Sequence, residues 1–161
     1  MEIGAIAPEL VEEAWPLIEP LITPALDYDF TKTTAEDIKD KIQAGEYGCL
    51  VVIDDEGKFI AAQTAQIFDQ ENGERMLNLV TTAGYRLNEW QDLLADAIDN
   101  LARSMGCQVI QTRGRLGWLK ALRRNGYQPL YFTAEKRVDY GQEQNEIDDS
   151  AELRLDVRAA S

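Results

Sequence analysis

The sequence predicts an α/β domain: a mixed, mostly antiparallel central sheet flanked by helices, in the order β-αα-βββ-α-β-α-β. Three observations carry this expectation. Three apolar runs separated by turn residues lie between Cys49 and Val80, the pattern of an antiparallel meander. A long apolar stripe follows from Leu87 to Met105, as in one amphipathic helix. A further strand and a short helix come after it, and a long helix joining two strands implies a parallel neighbour in the sheet.

Taken in order, Met1 to Ala7 alternates weakly and suits an edge strand. Pro8 fits a first helical position, and Leu10, Ala14, Leu17, Ile18 and Leu21 continue at helical spacing. Pro16 and Pro20 each remove a backbone donor, so this helix is expected to be kinked or broken in two. Thr34 with Asp37 resembles a capping box that starts a short helix carrying Ile38 and Ile42 and stopping before Gly45.

Cys49 to Ile53, Phe59 to Phe68 and Met76 to Val80 are the three meander strands, turned by Asp54–Gly57 and Asp69–Gly73. In the next helix Leu87, Trp90, Leu93, Leu94, Ala97, Ile98, Leu101, Ala102 and Met105 form one continuous stripe, Asn88 with Gln91 is the expected cap, and Gly106 is placed to end it in a left-handed turn. Gln108 to Thr112 is a strand, Trp118 to Asn125 a helix closed by Gly126, and Tyr127 to Val138 a last strand. The domain is read as residues 1–138. Residues 139–161 form an acidic C-terminal extension in which Leu153, Leu155 and Val157 alternate as an added edge strand would.

Composition narrows the chemistry. The chain has 161 residues, 16 Lys+Arg against 29 Asp+Glu, a net charge of −13 and no histidine. Ser-His-Asp and Cys-His catalysis are therefore excluded, and no metal site is expected. Cys49 and Cys107 start strands expected to be three spacings of ~4.8 Å apart, beyond the ~7 Å reach of a disulfide. Both read as small apolar fillers. No apolar run approaches the roughly 20 residues of a membrane span, and the N-terminus shows no basic-then-apolar signal, so a soluble intracellular protein is expected. The acidity is uneven: half of the basic residues fall between Arg103 and Arg137, with Glu135 the one acid there. That window reads either as a solvated basic face or as a site for phosphate or an acidic partner. Nucleic acid is a disfavoured ligand for a chain this acidic.

The element order and the run Gly114-Arg115-Leu116-Gly117-Trp118-Leu119-Lys120-Ala121-Leu122-Arg123-Arg124-Asn125-Gly126-Tyr127 resemble the GNAT-type N-acetyltransferase fold. More narrowly, G-R-x-G-W-x-x-x-L-x-x-x-G-Y resembles short GNAT-like proteins of tailed bacteriophages, some of whose relatives are internal virion proteins. The meander from Gly48 to Gly57 and the run from Trp90 to Cys107 fit the same group. The resemblance covers residues 1–138. It implies acetyl-CoA as cofactor, with its diphosphate on backbone N–H groups at the start of the long helix, and the host cytoplasm or a virion as location.

Two departures accompany the resemblance. Family members carry R/Q-x-x-G-x-G/A before the long helix, whereas this chain reads Thr81-Thr82-Ala83-Gly84-Tyr85-Arg86-Leu87-Asn88. One glycine is present, bulky Tyr85 and Leu87 stand in the approach, and Glu89 and Asp92 place negative charge in or near the first turn. Gly84, Arg86 and Asn88 are the residues left to hold a cofactor. Many members also protonate the departing thiolate with a tyrosine four residues before the terminal Gly-Phe/Tyr pair, and that count lands on Leu122. Tyr127 and Tyr131 remain as candidate acids and Glu74 as a candidate base. Arg113, Arg115, Lys120, Arg123 and Arg124 are the candidate partner- or phosphate-binding residues.

The expected function is that of a phage-type GNAT-fold protein with lost or weak acetyl transfer, acting by binding a virion or host protein, and no cofactor is expected on that reading. An active acetyl-CoA-dependent N-acetyltransferase for a basic amine is the alternative, and an acidic nucleic-acid mimic the second alternative. A homo-oligomer stays open as a further association.

Overall fold

The apolar runs pair in the order in which they occur along the chain. The computed structural model describes residues 1–28, 31–131 and 134–141. In it β1 (Glu2–Ala5), β2 (Gly48–Ile53), β3 (Phe59–Asp69), β4 (Arg75–Gly84) and β5 (Val109–Thr112) form one sheet, ordered β1-β2-β3-β4-β5. β1 to β4 are antiparallel neighbours, and β5 pairs parallel to β4 from Met76↔Val109 to Leu79↔Thr112. A parallel partner needs a crossover, and α3 (Leu87–Ser104) supplies it.

Side-chain alternation divides the core between the two faces of the sheet. Val51 and Ala62 pack with α1 (Val11–Leu26) and α2 (Ala35–Gln43), whereas Val52, Leu77 and Leu79 pack with Trp90, Leu94, Ile98 and Ala102 of α3. The predicted stripe of α3 is thus core, although Leu93 and Met105 at its margins stay exposed. α2 carries the expected capping box: Thr34 Oγ1 accepts from the Asp37 N–H and Asp37 Oδ2 from the Thr34 N–H.

Four expectations are corrected. The proline-bearing segment is neither broken nor split in two. After one 3₁₀ turn at Pro8–Leu10, α1 runs unbroken through Pro16, Pro20 and Pro24. All three prolines are exposed while Val11, Trp15, Ile18 and Ile22 are buried. The prolines are spaced four apart, so the carbonyls they leave without a donor lie along the solvent face. Water satisfies those groups, and the buried stripe holds the helix.

The cap of α3 is Arg86 in a left-handed conformation, with no side-chain cap bond, rather than the pair Asn88 and Gln91. β4 also runs four residues further than the apolar run implied, to Gly84.

The last strand, expected over Tyr127–Val138, is not formed by the described residues 127–131 and 134–138. The chain leaves α4 (Leu119–Arg124) through a left-handed Gly126, φ +85°, where the Tyr127 N–H is bonded to the Leu122 carbonyl at 3.1 Å. Compactness separates Met1–Gln128, which holds every helix and strand named here, from Pro129–Ser161. In the latter, the described residues Leu130, Tyr131, Val138 and Tyr140 are exposed. Residues 142–161, with most of the acidic extension and the alternation Leu153, Leu155, Val157, lie outside the described residues. Both cysteines are free, as expected. Burial pushes the Cys49 thiol up to about 12.

Thr64 sits between Cys49 and Thr81 in the sheet register, fully buried, and its Oγ1 has no hydrogen-bond partner. A buried orphan hydroxyl costs about 1–3 kcal/mol of desolvation. Thr64→Val keeps the branched shape and removes that hydroxyl. Denaturant unfolding is expected to show stability unchanged or raised by about 1 kcal/mol; a loss of that size would mean that the hydroxyl is hydrogen-bonded after all.

Candidate functional site

Where β4 and β5 stop pairing, a cleft opens. Their parallel register ends at Leu79↔Thr112, while β4 stays paired to β3 as far as Ala61↔Gly84. β5 instead turns away through Arg113 into a 3₁₀ turn at Leu116–Trp118 and then α4. The space between is a cleft of about 120 Å³, floored by Leu79, Val80 and Thr82 and walled by α3 on one side and by Trp118, Leu122 and Tyr127 on the other. Arg124 Nη2 on α4 meets Asp92 Oδ2 on α3 at 2.7 Å, bridging the two walls.

The β4 floor is irregular. Thr64 pairs with Thr81 but its neighbour Ala65 pairs with Leu79, so Val80 is an extra residue in β4. Such a bulge leaves its residue out of the ladder and is common beside functional sites. Below it, Gln63 is buried, donating to the Thr64 carbonyl at 2.7 Å and accepting from Thr82 Oγ1 at 2.5 Å.

Local contacts take up part of the hydrogen-bonding capacity at the α3 N-terminus. Tyr85 and Arg86 are all that separate Gly84, still in the sheet, from Leu87, already in the helix. The Tyr85 N–H is bonded to the Ile60 carbonyl at 3.0 Å, the Tyr85 carbonyl accepts from Trp90 Nε1 at 2.7 Å, and the Glu89 N–H is bonded to the Arg86 carbonyl at 2.9 Å. Arg86 adopts φ +64°. Its guanidinium reaches Glu89 at 3.0 Å and Asp54, at the end of β2, at 3.2 Å. Asp54 also accepts the backbone N–H groups of Lys58 and Glu56. These two N–H groups and Arg86 hold its carboxyl below the usual carboxylate range, the Lys58 bond contributing most. Tyr85 turns away from the cleft towards Lys58, whose ammonium lies 5.6 Å from the ring centre.

Gly84 is needed by the sheet. With φ +154°, a Cβ there would come within 2.4 Å of the Ile60 carbonyl oxygen and 2.5 Å of Ala61 Cβ. Gly114 and Gly117 are different: neither has a positive φ, and the nearest atom to a Cβ at Gly114 would be 3.8 Å away. The turn around Arg115 therefore does not depend on the conformational freedom of either glycine.

The sequence-nominated residues scatter. Tyr127 lines the cleft, and burial, with a smaller contribution from Asp99, pushes its hydroxyl up to about 12. Leu122 lines the cleft too. Glu74 lies before the first residue of β4, at the far end of that strand and roughly 16 Å from Leu79 at ~3.3 Å per residue. Tyr131 belongs to the unit that begins at Pro129 and is exposed. Asn88 is exposed on the first turn of α3.

Of the basic group, Arg113 lines the cleft, and Arg115 stacks on the Tyr28 ring at 3.9 Å from its centre. Arg124 is spent on Asp92, while Lys120 and Arg123 are exposed. Sequence reasoning missed Gln63, Thr82, Asp54 and the bulge at Val80. The polar Gln63 inside the apolar run Ile60–Ala65 was the one available signal. Among the described residues, no cluster of three or more His, Cys, Asp or Glu could hold a metal, and no helix is long and apolar enough to cross a membrane.

No family model matches the sequence, and no curated protein matches it. Solved structures do match the fold. A mutant of the BH1408 protein from Bacillus halodurans is similar with a TM-score of 0.68 at 13% identity, covering 86% of this chain and 99% of that one. A ribosomal-protein-alanine N-acetyltransferase from Brucella melitensis is similar with a TM-score of 0.60 at 13% identity, over 86% and 100% of the two chains. An aminoglycoside acetyltransferase from an uncultured soil metagenomic sample, in complex with sisomicin, matches with a TM-score of 0.61 at 13% identity over 84% and 96%. The fold is therefore that of GNAT-type acetyltransferases, as the element order led one to expect. At these identities the likeness extends to the fold alone.

Two measurements check the closed helix start. Gly84→Ala forces the Ala61 strand away and is expected to cost about 2–3 kcal/mol in denaturant unfolding, in the range for overpacking. For Asp54 the folded pKa lies below the unfolded value of about 3.9. Its contribution to stability is thus present above that pH and lost as pH falls through the folded value. Asp54→Asn should be less stable than wild type at pH 7, with the gap closing as the pH falls below the unfolded carboxylate value; a gap independent of pH would contradict the assigned contacts.

Proposed function

We propose that this chain is a GNAT-fold protein that has lost efficient use of acetyl-CoA and acts by binding another protein. The observation that carries the reading is the closed segment from Gly84 to Glu89. A diphosphate at a helix N-terminus requires free backbone N–H groups and room for the phosphates to approach. Here the Tyr85 and Glu89 N–H groups are already bonded, and Arg86 is held by two carboxylates. The missing Cβ of Gly84 makes room for Ala61 rather than for a ligand. Adding Asp54 and Glu89 to a helix start repels a polyanion even with Arg86 between them. The residues present do not fit the diphosphate of acetyl-CoA, and Leu122 stands where the family resemblance implies a proton-donating tyrosine.

A partner protein suits what remains: an apolar cleft beside exposed Arg113, Lys120 and Arg123, on a chain of net charge −13. The resemblance to phage-borne GNAT-like proteins directs the search to virion and host proteins.

A second reading has one observation in its favour. The cleft opens at the divergence of β4 and β5 beside the bulged Val80, with Tyr127 protonated in its wall, which is a workable geometry for an N-acetyltransferase acting on an amine. Calorimetric titration with acetyl-CoA separates the two. The expected result is no saturable heat at micromolar concentrations, and micromolar binding together with acetyl transfer to a polyamine would establish the second reading instead.

A further inference from the structure

The chemistry of the cleft wall restricts what can enter it. Its volume of about 120 Å³ is close to the ~150 Å³ cavity that takes up benzene in a well-studied engineered protein. An occupant is therefore a group of roughly six to eight carbon atoms rather than an extended cofactor. Most of the surface is apolar: Leu79, Leu87, Leu94, Ile98, Trp90 and Trp118. The polar atoms of Gln63 and Thr82 at the floor are already bonded to each other, so they ask for nothing from a ligand.

Among the cleft-lining residues one side chain is charged, and it is Arg113. It is exposed. No Asp or Glu lines the cleft, and Asp92 on the α3 wall is bonded to Arg124. In a chain of net charge −13, an apolar cavity whose single charge is a guanidinium selects sharply for the sign of its ligand.

From this juxtaposition we infer that the cleft is a binding site for a compact apolar group carrying a carboxylate, with the apolar body between α3 and α4 and the carboxylate on Arg113. A guanidinium takes a carboxylate through two parallel N–H···O bonds, and at the mouth of an apolar cleft that pairing is less screened than on open surface. The inference rests on the proposed absence of acetyl-CoA from the same cleft. It adds to that reading the chemistry of the anchor: a free alkyl or aryl carboxylic acid, or the same group at the C-terminus of a partner chain.

The test uses the full chain and cyclohexylacetate, with 2-cyclohexylethanol as the neutral twin, followed by tryptophan fluorescence, since Trp90 and Trp118 both line the cleft. Wild type should bind the acid saturably and about tenfold more tightly than the alcohol, the scale of a charge-assisted pair. Arg113→Gln should abolish that preference and leave alcohol binding intact, which also shows that the variant is folded. Lys41→Gln, on α2 and outside the cleft lining, should change neither. A pentapeptide ending in phenylalanine, compared with its C-terminal amide, tells the two sources apart: preference for the free acid over the amide, stronger than for cyclohexylacetate, assigns the group to a partner chain. Equal binding of acid and alcohol, no saturation by either, or a preference that survives Arg113→Gln would overturn the inference. Acetyl-CoA is titrated separately. If it is silent while the acid also fails, this inference alone falls; if it binds and blocks the acid, the proposed function falls with it.

Discussion

The close pairing of β3 and β4 at Ala61 and Gly84 sets the geometry of everything around the cleft. Two backbones can approach this far only where one strand has no side chain, and here Ile60 and Ala61 fill the place that a Cβ would take. Because β4 stays in the sheet to that point, only Tyr85 and Arg86 remain to turn the chain into α3. Within so short a turn the Tyr85 N–H and carbonyl are bonded to Ile60 and Trp90, and the Glu89 N–H to the Arg86 carbonyl. Arg86 accepts the left-handed conformation, at roughly 1–2 kcal/mol for a residue with a Cβ, and its pairing with Asp54 and Glu89 offsets that strain.

The same pairing opens the cleft. β5 follows β4 only as far as Leu79, while β3 keeps β4 straight beyond that point. The sheet therefore splays on one side only, and α3 with α4 closes over the gap. Val80, extra in the ladder, lies at the fork. The opening where β4 and β5 part thus lies beside a helix start tied by Arg86 to Asp54 and Glu89.

The sequence and the structure agree where a local signal is strong and unopposed. The capping box at Thr34 and Asp37, the meander and the α3 stripe all depend on residues within one turn or one strand. They depart where a distant partner decides. Pro16 and Pro20 read as a kink or break because proline removes donors, yet with Pro24 they are spaced so that all three lie on the exposed side while the opposite face is buried. The apolar run ending at Val80 hid the remainder of β4, since Thr81 to Gly84 become strand only by pairing with β3. At the site, the family resemblance put Leu122 where a tyrosine is usual and named Tyr127 a candidate acid, and the structure brings both to the cleft, whereas Glu74 looked close to the chemistry only because the length of β4 was unknown.

By itself, the sequence determined that no histidine-dependent chemistry is available, that helices flank a mixed sheet, and that the loop before α3 lacks the glycines of a phosphate cradle. These follow from residue identity and short-range periodicity, which need no partner. Only the tertiary structure decided that Arg86 is held by Asp54 and Glu89, that Gly84 serves strand packing, and that Arg113 stands as the one charge on an apolar cleft. Each of those depends on groups far apart in the chain being brought within a few ångströms, and neither composition nor spacing encodes that distance.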